Sequence, residues 1–488
     1  MTEERRRRVE FGDFQTPEEL ARDVCAKLVG LGLKPGTVIE PTCGVGAFVL
    51  AAVAAFPEVQ SVLGFEVNAQ YVERLSAALL ARSDGPRVRV VRADFFQVAW
   101  SDELASCAGT PLILGNLPWV TNSALGALGS QNLPEKSNFL NHGGFEAISG
   151  KANFDISEWM MLELLRAAGP RPTDLAMLVK TAVARKVLAH AERQRLPVKE
   201  ASIHRIDAKK HFGAAVDACL LVMRLDPRFA ARHDYTVYDD LVAQTGTRVG
   251  HRQGLTVRDI NAFEASVHLL GRAPQKWRSG VKHDVSAVME FTRVGDHFVN
   301  GLDEHVALES DHLYPLLKGS DIGSNRRWRE KFVLVTQKSV GEGTQWIRQV
   351  CPLTWSYLER HAAALDARAS VIYAKNPRFS VFGVGDYAFR PWRVAICGLY
   401  KSLGFRLVGP IEGKPAMFDD TVYYLSFDSE SDARVAMTSL TSEPAKRFLM
   451  SLIFWDEKRP IKTGILNVLD WSRLVEDALP APQLAFDL

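Results

Sequence analysis

The stretch Thr37-Val38-Ile39-Glu40-Pro41-Thr42-Cys43-Gly44-Val45-Gly46, followed by the apolar run Ala47 to Phe56, decides how this chain is read. Thr37 to Glu40 is short, β-branched and apolar, as a strand buried on both faces should be. Pro41 to Gly46 reads as a turn, because glycines at 44 and 46 allow backbone angles and close approaches that a side chain forbids. AFVLAAVAAF (47–56) has the all-round apolar character of a buried helix. Strand, glycine turn and helix together form the first unit of a doubly wound α/β sheet, with the helix N-terminus facing whatever binds beyond the strand end.

The same rhythm extends outward. Upstream, QTPEELARDVCAKLVG (15–30) predicts a helix with Thr16 as N-cap, Pro17 in the first helical position, and Leu20, Val24 and Leu28 along one face. Downstream, SVLGFE (61–66), RVRVVRAD (87–94), PLILGN (111–116), LAMLVK (175–180), ASIHRID (201–207) and DACLLVMRL (217–225) read as strands, several of them separated by helical patterns. A segment rich in Asn, Ser and Gly, 120–157, is too long for a plain connection and is expected to be a functional or disordered loop. After residues 226–234 the alternation fades. The remainder is mixed: VLVTQKS (333–339), RFSVFGV (378–384), RVAICGLY (393–400), RLVGPI (406–411) and TVYYLSF (421–427) as strands, ARVAMTSLT (433–441) and PAKRFLMSLIF (444–454) as helices. The expected organisation is an α/β domain over 1–228 and a mixed α+β domain over 229–488.

Composition narrows the function classes. The 488 residues carry 59 Lys+Arg against 57 Asp+Glu, a formal charge of +2, so a nucleic-acid footprint has to be local rather than global. No run of about 18 uncharged apolar residues occurs, and MTEERRRRVE has no apolar core behind it, so a membrane span or secretory signal is not expected. Cys25, Cys43, Cys107, Cys219, Cys351 and Cys397 lie far apart without a CxxC pair. They read as buried thiols in a reducing cytoplasm, not a zinc site or disulfide framework. GxSxG, HExxH, a Walker-type lysine loop and a Pro-Cys pair are all missing. His142 and His211 read as surface or loop residues, and no metal is expected.

Four polar residues close four of the predicted strands: Glu40, Glu66, Asp94 (followed by Phe95) and Asn116 (followed by Leu117-Pro118-Trp119). Their spacing suits one strand-plus-helix unit each, which brings all four to the carboxyl edge of one sheet, where open α/β folds bind ligands. An acid at the tip of the second strand can accept from a ribose diol, and one beside an aromatic can read an adenine amino group. The glycine turn lacks the third glycine of a dinucleotide fingerprint, having Val49 there.

Asn116-Leu117-Pro118-Trp119 is similar to the (Asn/Asp/Ser)-Pro-Pro-(Tyr/Phe/Trp) signature of S-adenosylmethionine-dependent amino-methyltransferases. The order Phe14-Gln15-Thr16-Pro17, glycine turn, two acids, Asn-Leu-Pro-Trp and a late specificity region resembles the gamma class of DNA adenine-N6 methyltransferases of restriction–modification systems. Leu313 to Ile322 and Arg378 to Gly385 resemble parts of that class's target-recognition domain. The resemblance implies a Rossmann-like S-adenosylmethionine-dependent methyltransferase domain, followed by the domain that reads DNA. It implies that Thr16 and the 42–46 turn, with Thr42, Gly44 and Gly46, hold the methionine end of S-adenosyl-L-methionine, that Glu66 takes the ribose, and that Asp94 and Phe95 take the adenine; the Glu40 carboxylate near that turn would favour the cationic sulfonium of the cofactor. Asn116 and the Leu117 carbonyl would accept the two hydrogens of the target amine, and Trp119 and Phe212 would sandwich the extruded base. Double-stranded DNA is the implied partner, with a cognate restriction endonuclease acting separately and a monomeric, cytoplasmic enzyme.

Leu117 departs from the usual proline, and Asn-Leu-Pro-Tyr is the form found in ribosomal RNA adenine dimethyltransferases. RNA adenine methylation, cytosine-N4 methylation, protein glutamine methylation and a non-catalytic DNA-specificity module therefore stand as alternatives. In the second half, Asn325-Arg326-Arg327-Trp328-Arg329 and Lys375-Asn376-Pro377-Arg378-Phe379 interleave cations, amides and aromatics, which suits phosphate and base contacts. Arg326, Arg327, Lys375 and Arg378 are the candidate DNA contacts, with Lys458 to Lys462 and Arg5 to Arg8 as further basic stretches.

Overall fold

The computed structural model describes residues 15–80, 87–120, 155–169 and 171–478. Arg5 to Arg8, Phe14, His142 and most of the 120–157 segment lie outside the described residues. The chain divides into two compact units, residues 1–256 and 257–488.

The first unit is built on a ten-stranded sheet: β1 (Thr37–Glu40), β2 (Ser61–Glu66), β3 (Val88–Arg92), β4 (Pro111–Asn116), β5 (Thr173–Lys180), β6 (Val198–Ile206), β7 (Ala218–Leu225), β8 (Tyr235–Tyr238), β9 (Thr247–Arg252) and β10 (Leu255–Val257). Its order is β10-β9-β8-β6-β7-β5-β4-β1-β2-β3. β3, β2, β1, β4 and β5 run parallel, and β7 is antiparallel to both β5 and β6. From β1 the chain builds outward through β2 and β3, then returns to place β4 on the other flank of β1. That reversal opens a crevice beyond the carboxyl ends of β1 and β4. The helix Glu18–Gly30 and the helix Ala47–Ala55 close one core against this sheet, where Leu20, Val24, Leu28, Phe48 and Val49 pack with Val38, Leu112 and Leu114.

Two expectations need correction here. The division falls after Thr256 and not at 228/229, because residues 235–257 continue the first sheet, with β8 parallel to β6 and β9 antiparallel to β8. The first helix begins at Glu18, with Pro17 at its N-cap, so Thr16 does not cap it. The Pro17 carbonyl still accepts the Ala21 N–H at 3.0 Å.

The second unit holds two sheets. One is antiparallel, in the order β11 (Arg278–Ser279), β20 (Val422–Phe427), β17 (Trp392–Cys397), β18 (Arg406–Val408). The other has the order β14 (His305–Val306), β13 (His297–Asn300), β12 (Glu290–Val294), β16 (Lys331–Leu334), β15 (Leu313–Leu317), β19 (Met417–Phe418). The expected helices appear as Glu430–Thr441 and Glu443–Leu452. RFSVFGV is not a strand. It makes one bridge, Lys282 to Phe382, and Phe379 lies at φ 65°. The Arg378 and Phe379 carbonyls instead accept from the hydroxyls of Thr344 (2.6 Å) and Thr336 (2.8 Å). Side chains thus take acceptors that a neighbouring strand would otherwise use.

Candidate active site

The glycine turn is fixed from three directions. Gly44 and Gly46 have φ of 53° and 90°, which favour glycine, and a Cβ on Gly46 would also overlap the Leu75 side chain, which would have to shift. The Gly44 N–H donates to Glu66 Oε2 at 2.8 Å, and the Val45 N–H to Gln15 Oε1 at 3.1 Å. The other oxygen of Glu66 accepts the Asn68 N–H at 2.8 Å. The residue before the first helix that hydrogen-bonds to the turn is Gln15. Gln15 stands in the Phe14-Gln15-Thr16-Pro17 stretch singled out above, but its reach across to the turn has no periodic signal.

Glu40 lies beneath the turn, 3% exposed, and its Oε2 accepts the Val49 N–H at 3.0 Å. Burial pushes its carboxyl well above the usual range; the Val49 bond opposes this and the nearby Glu66 charge adds to it. Thr42 leans the other way, its hydroxyl 3.4 Å from the Asn116 carbonyl. The β1 turn and the β4 tip are thereby neighbours, as the strand order requires.

At the tip of β3, Asp94 accepts the Phe96 N–H at 3.0 Å and caps the turn Phe95–Gln97. Phe95 is buried against Trp100, with ring centroids 4.9 Å apart, and Trp159 meets Phe95 at 6.4 Å and Phe96 at 5.2 Å. Trp159 belongs to the helix Ile156–Ala168, so it reaches this aromatic cluster from a distant part of the chain.

Asn116 ends β4 in register with Leu178 of β5. Leu117 is fully buried, Pro118 half-buried, and Trp119 is 7% exposed with its indole N–H donating to the Leu178 carbonyl at 3.3 Å. Phe212, at the end of the helix Ala208–Phe212, meets Trp119 edge to face at 5.1 Å and 69°. The two expected stacking partners are brought together, but they touch one another and leave no slot between parallel faces. A base entering there has to part them. Lys180, which no motif marks, also reaches the site: its Nζ donates to the Trp119 carbonyl at 3.1 Å and to Asp155 Oδ2 at 2.6 Å. The sequence marks it only as a lone cation closing the otherwise apolar run LAMLV, with nothing to show its partners.

In the second unit Arg326, Arg327, Lys375 and Arg378 are all exposed. Arg378 is already paired with Asp366 through Nε (3.2 Å) and Nη2 (2.7 Å). Arg459 lies 3.7 Å from Asp420, and Lys462 pairs with Glu457. Among the described residues no group of acidic, His and Cys side chains could hold a metal ion, no helix is long and apolar enough to cross a membrane, and all six cysteines are buried and free.

The donor set around the crevice is acidic and amide-rich: Glu40, Glu66, Asp94, Asn116 and Gln15. That chemistry suits a cationic sulfonium better than a phosphate. Each Glu66 oxygen keeps a second lone pair for a hydroxyl, and Asp94 is followed by buried aromatic faces. The arrangement defines a Rossmann-like methyltransferase fold with an acidic crevice at its switch point. No family model matches the chain. It is 45% identical to the Type II methyltransferase M.NspV of Nostoc sp. over 465 residues, covering 95% of this chain and 96% of that one. It is 33% identical over 115 residues to the Type II methyltransferase M.XamI of Xanthomonas campestris pv. amaranthicola, 24% of this chain and 21% of that one. The fold of the Type IIL restriction-modification enzyme MmeI, solved in complex with DNA, matches 92% of this chain and 64% of that chain, with a TM-score of 0.51 at 12% identity. The chain belongs to the Type II methyltransferase family.

Proposed function

We propose that the protein is a site-specific DNA methyltransferase that moves a methyl group from S-adenosyl-L-methionine to the N6 amino group of an adenine turned out of duplex DNA. The observation that carries this reading is the position of Asn116, at the end of β4 beside the switch-point crevice and within 3.4 Å of Thr42 in the glycine turn. Membership of the Type II methyltransferase family supports duplex DNA over RNA or protein as substrate.

The cofactor supplies a methyl group on a cationic sulfur, open to in-line attack. Thr16, Glu40, Thr42, Gly44 and Gly46 would hold its methionine end, with Gln15 bracing the turn; Glu66 would take the ribose hydroxyls, and Asp94 and Phe95 the adenine ring. The chain's own task lies at the amine. An adenine N6 lone pair is delocalised into the ring and is a poor nucleophile. The Asn116 Oδ1 and the Leu117 carbonyl each accept one N6 hydrogen, which directs the lone pair at the methyl carbon; the contribution is positioning and electrostatics. Leucine at 117 keeps this role, because the carbonyl and not the side chain does the work. The N6 proton released after transfer passes to solvent. Trp119 and Phe212 part to take the extruded base, and base–aromatic stacking of about 1–3 kcal/mol offsets part of the cost of flipping. The second unit reads the target site through Arg326, Arg327, Lys375 and Arg378. The protein acts as a monomer in the cytoplasm, protecting DNA from a separate restriction endonuclease.

The test is transfer of tritium from labelled cofactor to duplex DNA, ribosomal RNA and protein in parallel, followed by digestion of the DNA to nucleosides and mass measurement. N6-methyldeoxyadenosine is the expected product. N4-methyldeoxycytidine, or label confined to RNA or protein, overturns the assignment.

A further inference from the structure

Lys180 closes β5, the strand beside β4, two residues beyond the register partner of Asn116. Its side chain is 23% exposed, and its ammonium spans two groups: the Trp119 carbonyl at 3.1 Å and Asp155 Oδ2 at 2.6 Å. Asp155 is buried, and its Oδ1 accepts from the Ser157 N–H (3.2 Å) and hydroxyl (2.6 Å), capping the helix Ile156–Ala168. One residue on, the Ile156 N–H donates to the Val120 carbonyl at 2.9 Å. Trp119 is also held from its ring, through the indole bond to the Leu178 carbonyl. The end of β5 thus grips Trp119 by backbone and side chain, and joins it through one ion pair to the helix whose Trp159 lies against Phe95 and Phe96.

We infer that Lys180, held by Asp155, is a positioning residue for methyl transfer: it fixes the peptide that follows Asn116-Leu117-Pro118 and so sets the direction of the two acceptors that grip the target amine. The inference rests on the amine-gripping role proposed for Asn116 and Leu117. The chemistry favours this over a plain surface ion pair. A carboxylate alone beside the Trp119 carbonyl would repel its oxygen, whereas an ammonium has donors for both. A buried aspartate tied to a cation holds that cation in one place. Removal of the ammonium leaves the Trp119 carbonyl without this donor and Asp155 without its counter-charge, yet leaves the glycine turn, Glu66 and Asp94 untouched.

The experiment compares wild type, Lys180→Met, Lys180→Arg and Asp155→Asn in the full chain. The readouts are melting temperature, equilibrium binding of S-adenosylmethionine, binding of a duplex carrying 2-aminopurine at the target position, and the single-turnover rate of transfer. In Lys180→Met the single-turnover rate is expected to fall by about 10- to 100-fold, the scale of an ångström of misplacement, with cofactor affinity within about threefold of wild type, a change of under 1 kcal/mol. Lys180→Arg restores part of the rate, Asp155→Asn gives an intermediate loss, and the bound 2-aminopurine emission differs in Lys180→Met as its stacking on Trp119 changes. A wild-type rate in Lys180→Met overturns the role. So does a rate lost only in step with melting temperature and cofactor affinity, with no recovery in Lys180→Arg. Wild type that transfers nothing to DNA overturns the function reading itself, and this role with it.

Discussion

Glu40 places a carboxyl where water cannot reach it, and that has opposite consequences for stability and for binding. Its folded-state pKa is raised by burial, so the folded chain holds the proton more tightly than the unfolded one. The stability associated with the neutral acid is complete below the unfolded carboxyl range and is lost as pH rises through the folded value. Glu40→Gln should therefore melt higher than wild type at pH 7–8, by a few degrees if the gain is about 1 kcal/mol, with the difference vanishing toward pH 4; calorimetry across that range checks the sign. The same variant should bind S-adenosylmethionine more weakly, because a nearby sulfonium favours ionisation of Glu40 and an amide cannot supply that charge. Asn116→Ala separates binding from chemistry. Transfer should fall by at least about 100-fold, as when a preorganised hydrogen-bonding group is deleted from an active site, while cofactor affinity measured by calorimetry stays close to wild type.

The glycine turn between β1 and the helix Ala47–Ala55 shows how an element is specified by more than its own residues. Gly46 needs its conformation for the turn and its missing side chain for Leu75, twenty-nine positions away in the helix Ala69–Leu80. Gly46→Ala should cost about 1–3 kcal/mol through backbone strain, plus the overlap with Leu75. Denaturant titration of Gly46→Ala, Leu75→Ala and the double variant should show the double losing less than the sum of the two singles, since the overlap is relieved while the strain and the loss of the buried Leu75 side chain remain. The sheet around this turn was legible because β1, β2, β4, β5 and β7 are apolar runs bounded by turn residues, and their polar ends fall at one edge. The boundary at 256 was not, because β8 to β10 are short and only partly buried, and their pairing with β6 is a long-range fact. Phe379 and its neighbours look like a strand in composition, yet threonine side chains from elsewhere claim their carbonyls. In the site, the strand-end residues could be read from spacing. The reach of Gln15 to Val45, of Trp159 to Phe95 and of Lys180 to Trp119 could not, since each joins segments that only the folded chain brings together.

At the scale of the whole molecule, a formal charge of +2 on 488 residues gives little general attraction for DNA, so salt dependence should come from a few local contacts. Arg326→Ala/Arg327→Ala should lower the slope of log affinity against log salt by about 2, near 0.9 for each phosphate contact removed, with no change in cofactor binding. Arg378→Ala should matter less, its guanidinium being already engaged by Asp366. Titrations of a labelled duplex at several salt concentrations check both. The contact between Trp119 and Phe212 carries a further implication for selectivity. A free adenosine drifting into the crevice has only its own stacking to set against prising the two rings apart, and an edge-to-face pair holds with about 0.5–1.5 kcal/mol beyond its buried area. On the proposed reading, a nucleotide delivered by a bound duplex has the contacts to the rest of that duplex behind it. If the pair receives the base as proposed, the shut rings work as a toll on loose nucleosides, keeping the activated methyl group for bases that come attached to a bound strand.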